Sequence, residues 1–386
     1  MKTCSTRKRQ PLMNKPETRF RRCSIARRHF LAGVASLCLV RPFPTIASEG
    51  SVATMPLFPT LDALDQSLAA GNINTINRKM LLSFAAPSVQ FVTKNTPDDA
   101  IPVGSSKIGG APDLPKSMAW PMRGPSSAGK SEVDGLLKAV KKYPSEPLRK
   151  EIDAKTILAN RSAPLAFLLQ LDLAECTKKG KMDADFPTTG HFYLFYDFVF
   201  KPWYAEGVDG GGFRLIYSQA PFAHLVRQPP PDMGFPLYDT LAEYRNQLSS
   251  AVIDPAFSYT LPSSSSYPMM VRYSYPRQPP HEDWLEKNTY IPSIGGQLGG
   301  WPYLIQYDPA IDLGTSDAGM GKLSGDNFIS EITKLPGPIE NWVTLIELTD
   351  YDSPINDFNG IYLVMIRRSD LKSRDFSKAV FIYQTD

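Results

Sequence analysis

Thirty-five prolines in 386 residues limit this chain more than any other feature. Each one removes a backbone donor and fixes φ, so long helices and long central strands are both disfavoured. The elements must be short. The best strand patterns are 163–175 (APLAFLLQLDLAE), 191–200, 213–219, 269–275 (MMVRYSY), 303–308 (YLIQYD), 342–350, 360–368 and 379–386. Residues 89–93 alternate as a further strand, whereas Leu61–Ala70 and Ile73–Phe84 have helical spacing broken by Gly71-Asn72. Residues 138–150 are polar, charged and interrupted by proline. Scattered strands with few long helices predict an α+β fold with mainly antiparallel sheets and short helices.

Charge is unevenly spread. Of 42 basic and 39 acidic side chains, eleven basic ones and only Glu17 fall within residues 1–47, which leaves a body acidic by about seven charges. The basic run leads into Arg27-Arg28-His29-Phe30-Leu31 and the short apolar stretch 31–40, followed by small residues at Thr45-Ile46-Ala47. That layout predicts a signal peptide over 1–47, of twin-arginine type although Ala26 stands before the arginines, and a periplasmic or secreted protein. Sec export is the other route. The stretch is too short for a mature membrane span, which takes about twenty apolar residues. An acidic body without a basic stripe argues against nucleic acid as a partner.

Removal of that segment takes Cys4, Cys23 and Cys38 with it and leaves Cys176 alone, which excludes an intrachain disulfide and a multi-cysteine zinc site. Cys176 reads as a buried small residue. No cofactor or metal motif is expected, since an Asp-x-Asp-x-Asp-Gly loop is absent. GPSSAGKS at 124–131 matches the phosphate-loop pattern through Gly124, Gly129, Lys130 and Ser131. Pro115 and Pro121 spoil the strand that should precede it, so a solvated Gly/Ser loop is the expectation and nucleotide binding a third function. No G-x-S-x-G occurs, and His191, His224 and His281 are the only bases after the signal, with His191 read as a hydrogen-bonded strand residue. The dense aromatics of 192–204 read as a strand buried on both faces.

A weak internal repeat runs through the chain. The first half has Gly109-Gly110, Trp120-Pro121, an apolar strand ending in Asp172 and Glu175, then Gly190 opening an aromatic strand. The second has Gly299-Gly300, Trp301-Pro302, an apolar strand ending in Asp350 and Asp352, then Gly360 opening a similar strand. This predicts two intertwined pseudo-repeats, about 88–231 and 269–386, preceded by a helical segment over 48–87.

SKIGGAPDLP with Trp120-Pro121, PLAFLLQLDLAE, TTGHFYLFYD, FRLIYSQAP, QLGGWPYLIQ and the closing DLKSRDFSKAVFIYQTD resemble the YwqG-like family of bacterial proteins over residues 88–386. The resemblance implies a duplicated α+β fold and no particular activity. Gly296 stands where that family places a His, and Glu347 and Thr349 stand where it has Gln and Asp.

Together these features predict an exported binding or interaction protein. Its protein or small-molecule ligand is expected between the repeats, near Gly109, Gly110, Trp120, Asp172, Gly299, Gly300, Trp301 and Asp350. The rival is a periplasmic hydrolase using the carboxylates near Asp172 and Asp350, which requires them to converge.

Overall fold

The computed structural model describes residues 57–206, 211–231, 248–274, 277, 279–289, 294–323, 325, 327–349 and 360–385. All belong to the second of two compact units, Met1–Val52 and Ala53–Asp386. The expected signal segment, Asp350 and Asp352 lie outside the described residues.

The described strands are β1 (Ala86–Asn95), β2 (Lys107–Ile108), β3 (Asp113–Pro115), β4 (Met122–Arg123), β5 (Ala163–Pro164), β6 (Ala166–Asp172), β7 (His191–Tyr196), β8 (Tyr204–Glu206), β9 (Phe213–Ser218), β10 (Leu225–Arg227), β11 (Ala251–Thr260), β12 (Ile294–Gly299), β13 (Trp342–Thr349), β14 (Gly360–Arg367) and β15 (Val380–Thr385). Eleven join one sheet in the order β8-β15-β14-β13-β12-β1-β11-β2-β6-β7-β9, every pair antiparallel. With the short helices this makes a mixed α+β fold, as the proline content predicts.

The sheet does not lie flat. Tyr196 on β7 and Phe381 on β15 are eight places apart in that order, yet their rings stack with centroids 4.2 Å apart. Strand twist curls the sheet until its edge strands β8 and β9 touch, which gives a nearly closed barrel. Side-chain alternation then sorts β7: Phe192, Leu194 and Tyr196 enter the large inner core, and Tyr193 and Phe195 pack outside with Leu114, Leu165 and Phe167. Both faces are buried because outer elements cover the barrel.

At the middle, β1 pairs with β11 over ten residues, from Ala86 opposite Thr260 to Asn95 opposite Ala251. Four strands continue the sheet on each side, β12-β13-β14-β15 and β2-β6-β7-β9, with β8 added beyond β15. β6 and β13 both carry a bulge, between Phe167 and Leu169 and between Thr344 and Ile346.

The helices Leu61–Ala70 and Thr75–Phe84 start where Thr60 and Asn74 accept hydrogen bonds from the amides of Ala63 and Asn77. They pack against Leu261, Trp284 and Leu285. Three other expectations are corrected. Residues 138–150 belong to a helical hairpin, Ser127–Lys142 and Glu146–Ala159, anchored to the barrel by a buried Arg123–Asp197 ion pair of 2.7 Å. Residues 267–273 form a helix, not a strand, because Pro268 suits its first turn and Asp308 accepts from the Tyr267 amide at 3.0 Å. Residues 303–308 form no strand: the Gln306 amide donates to the Gln384 side chain and the Asp308 amide to the Ser265 carbonyl.

Candidate functional site

Three adjacent strands bring Gln90, Gln297 and Glu347 into one cross-strand row, with Gln297 opposite both of the others. The Gln297 carboxamide Oε1 accepts from Ser88 Oγ at 3.0 Å and from Gln90 Nε2 at 2.6 Å. Its Nε2 donates to the Trp301 carbonyl at 2.7 Å and to Glu347 Oε2 at 2.9 Å. Gly299 and Gly300, both at positive φ, turn the chain back across the row, so that the Tyr303 amide also donates to Glu347 Oε2, at 3.1 Å. All of Glu347's hydrogen bonds from described residues end on Oε2. Its Oε1 accepts none.

Glu347 is 4% exposed and lines a cavity of about 420 Å³. Burial pushes its carboxyl up to about 8, against the two N–H bonds that favour the ionised form. At neutral pH it is therefore largely a neutral acid with a proton to offer. The same cavity is lined by Phe58, Tyr259, Trp284, Trp301 and Tyr303, and by Glu282 and Glu286. The tryptophan N–H groups point to other partners: Trp284 donates to the Ser67 carbonyl at 3.1 Å and Trp301 to the Phe84 carbonyl at 2.7 Å. Both carbonyls end or precede turns of the N-terminal helices, which thereby fix one wall of the cavity.

The other arm of the sheet has a corresponding row that is filled. Lys107 on β2 lies opposite Gln170 on β6. The Asp113 amide donates to Gln170 Oε1 at 2.7 Å, and Lys107 donates to the Ala111 carbonyl. Asp113 is wholly buried and accepts from Arg227 at 2.9 Å and from the Gly104 amide at 2.9 Å, with Lys107 at 3.6 Å. Burial alone would raise the Asp113 carboxyl, but Arg227 and Gly104 hold it below the usual carboxylate range. This cluster is a satisfied ionic knot.

The residues expected at a site divide accordingly. Trp301 lines the Glu347 cavity, and with Gly300 it lines a neighbouring one of about 310 Å³. Gly299, at the end of β12, is packed by Met182 and Phe186. Gly109, Gly110, Trp120 and Asp172 line neither cavity. The first two pack against Ser249, Ser250 and Asp98, Trp120 donates to the Leu165 carbonyl at 2.9 Å, and Asp172 caps the helix Leu173–Lys179. Asp350 lies outside the described residues.

The phosphate-loop match is corrected in conformation: residues 127–131 are the first turns of a helix, not a solvated loop. Ser126 accepts from the Gly129 amide at 2.9 Å, the Lys130 amide donates to the Ser126 carbonyl, and Gly129 abuts the Phe200 ring. Amides that a phosphate cradle needs are already occupied. His191 is 2% exposed with Nε2 3.1 Å from the Gly104 carbonyl oxygen. Cys176 is buried, and its thiol is pushed up to about 12 by desolvation and then by Glu175, too high for a nucleophile.

Sequence reading reached Glu347 and Gly296 only as departures from a family pattern, and missed Gln90, Gln297, Trp284 and Tyr303 as site residues. The only local signal was a polar residue two places before each glycine pair, Lys107 and Gln297, inside otherwise apolar or glycine-rich stretches.

A family model matches residues 106–385, more than half of the chain, and its description is a domain of unknown function, DUF1963. The chain belongs to the DUF1963 family. β1 and the helices Leu61–Ala70 and Thr75–Phe84 precede the matched DUF1963 region, whereas the cavity-lining helix Glu282–Thr289 lies within it. No curated protein matches the chain.

Proposed function

We propose that this DUF1963 protein binds a small organic ligand in the cavity at Glu347. The observation that carries this is the contrast between the two polar rows. Gln170 and its neighbours are closed by Asp113, Lys107 and Arg227, whereas Glu347 keeps an oxygen without a donor in an aromatic-walled space. A buried polar group left open in a pocket of this size is the usual form of a ligand-orienting group.

The site belongs to a duplicated fold of the YwqG-like kind in this reading. Support comes from register: Lys107 faces Gln170 as Gln297 faces Glu347. The Asp113 amide meets Gln170 as the Tyr303 amide meets Glu347. Ala111-Pro112 therefore corresponds to Trp301-Pro302, a closer counterpart than Trp120-Pro121. The ligand is assigned to the second arm, where β1 and β11 adjoin it, and not to a midpoint between the two glycine turns. Export through the twin-arginine-like signal would put the binding protein in the periplasm or outside the cell.

The experiment is native mass spectrometry of the chain from residue 48 onward, recovered from its export compartment, beside a Leu261→Trp variant that fills the cavity. The expected result is a small molecule retained near one per chain and lost in the variant, whose circular dichroism stays unchanged. Equal retention by both proteins, or none by either at high recovery, would overturn the assignment.

A further inference from the structure

Three glutamates line the cavity, and among the described residues no Lys, Arg or His does. Two tryptophans, two tyrosines and a phenylalanine surround the same space. We infer that the ligand is a cationic amine, seated with its ammonium group between Glu347 Oε1 and the faces of the surrounding aromatic rings. The inference rests on the binding-site reading above and adds the charge of the occupant.

Each part of the wall suits a cation. Aromatic faces carry negative potential and attract ammonium groups most strongly where water is excluded. Trp284 and Trp301 have their N–H edges committed to the carbonyls of Ser67 and Phe84, so those donors are not offered to an anion. Glu282 is held by the Ser264 amide and hydroxyl at 3.1 and 2.6 Å, and keeps its acid at the cavity wall. A carboxylate ligand would meet three acids with no basic partner among the lining residues.

Binding must then move a proton. In the empty site Glu347 is mostly protonated at neutral pH. An entering ammonium supplies the missing countercharge, the Glu347 proton leaves to solvent, and the ion pair forms with charge conserved. The other titratable residues among the described lining of the cavity are Glu282 and Glu286 on the helix Glu282–Thr289, Tyr259 and Tyr303. Within the sheet, Gln297 of β12 and Leu363 of β14 lie opposite Glu347, and Gln90 of β1 lies beyond Gln297.

The test uses three probes of one shape: benzylamine, benzyl alcohol and benzoate, titrated calorimetrically into the protein and into Glu347→Gln. Benzylamine is expected to bind tightest, with affinity rising up to about tenfold per pH unit from pH 6 towards 8 and then levelling. At pH 7 its heat should vary with buffer ionisation enthalpy, reporting proton release. Glu347→Gln should weaken benzylamine at least about tenfold and abolish the pH trend, with an unchanged circular dichroism spectrum as the check that the fold is intact. Benzyl alcohol or benzoate binding as tightly as benzylamine would overturn the charge assignment and leave the binding site standing. No binding of any probe at about 10 mM would overturn both.

Discussion

Glu347 ties the stability of the protein to pH as well as its binding. Its carboxyl is raised from the ordinary glutamate range to about 8 by burial. Between those two limits the unfolded chain is ionised while the folded chain keeps its proton, so stability falls as pH rises from about 4.5 to 8 and levels above it. A shift of this size corresponds to a few kcal/mol, on the order of 3–5. Glu347→Gln lacks the titration. Its urea midpoint is expected to change less between pH 5 and pH 9 than that of the parent, with the variant gaining relative stability at pH 9; parallel curves would remove Glu347 as the source. In the sequence this position stands out only through the resemblance to the YwqG-like pattern, which has Gln where Glu347 stands. The sequence could not reveal that the partner across the strand is Gln297, since that register depends on residues 50 positions away.

At the scale of elements, β12 shows what glycine does in this fold. Gly296 pairs with Leu348 at φ of 139°, and a Cβ there would run into the Glu347 carbonyl oxygen. Any side chain at 296 must therefore push β13 aside. Gly296→Ala is expected to cost roughly 2–4 kcal/mol in chemical denaturation and to weaken cavity binding by displacing Glu347. A loss below about 0.5 kcal/mol would contradict the close approach. Of the two glycine pairs Gly295-Gly296 and Gly299-Gly300, the second is a turn at positive φ. The first lies inside a central strand, because neighbours β1 and β13 supply the ladder that glycine cannot favour by itself. The reverse happens at 267–273, where strand-like alternation yields to a helix held by Asp308 from a distant segment.

For the whole molecule, closure of the sheet joins what the chain order separates. Tyr196, Phe198 and Phe213 from one arm meet Tyr362 and Phe381 from the other inside the barrel. Phe381→Ala removes the ring shared by two of these four contacts and is expected to cost about 3–5 kcal/mol, read as a lower urea midpoint with a single transition. Two separate transitions would mean that the arms fold independently and that this contact does not unite them.

The sequence by itself determined the short elements, the α+β class, most strand positions and the burial of the aromatics at 192–200, since these follow from proline spacing and side-chain alternation; the expected two-faced strand over 192–204 ends at Tyr196, and Trp203 and Tyr204 are exposed. It left Ala251–Thr260 unseen as a strand because Asp254 and Pro255 interrupt its pattern, although β1 pairs along its full length. Only the tertiary structure decided that one glutamine row is locked by Lys107, Asp113 and Arg227 while the other opens at Glu347. That choice depends on which distant strands and helices cover each row, and a carboxyl's burial and missing partner are properties of that covering, not of its neighbours in sequence.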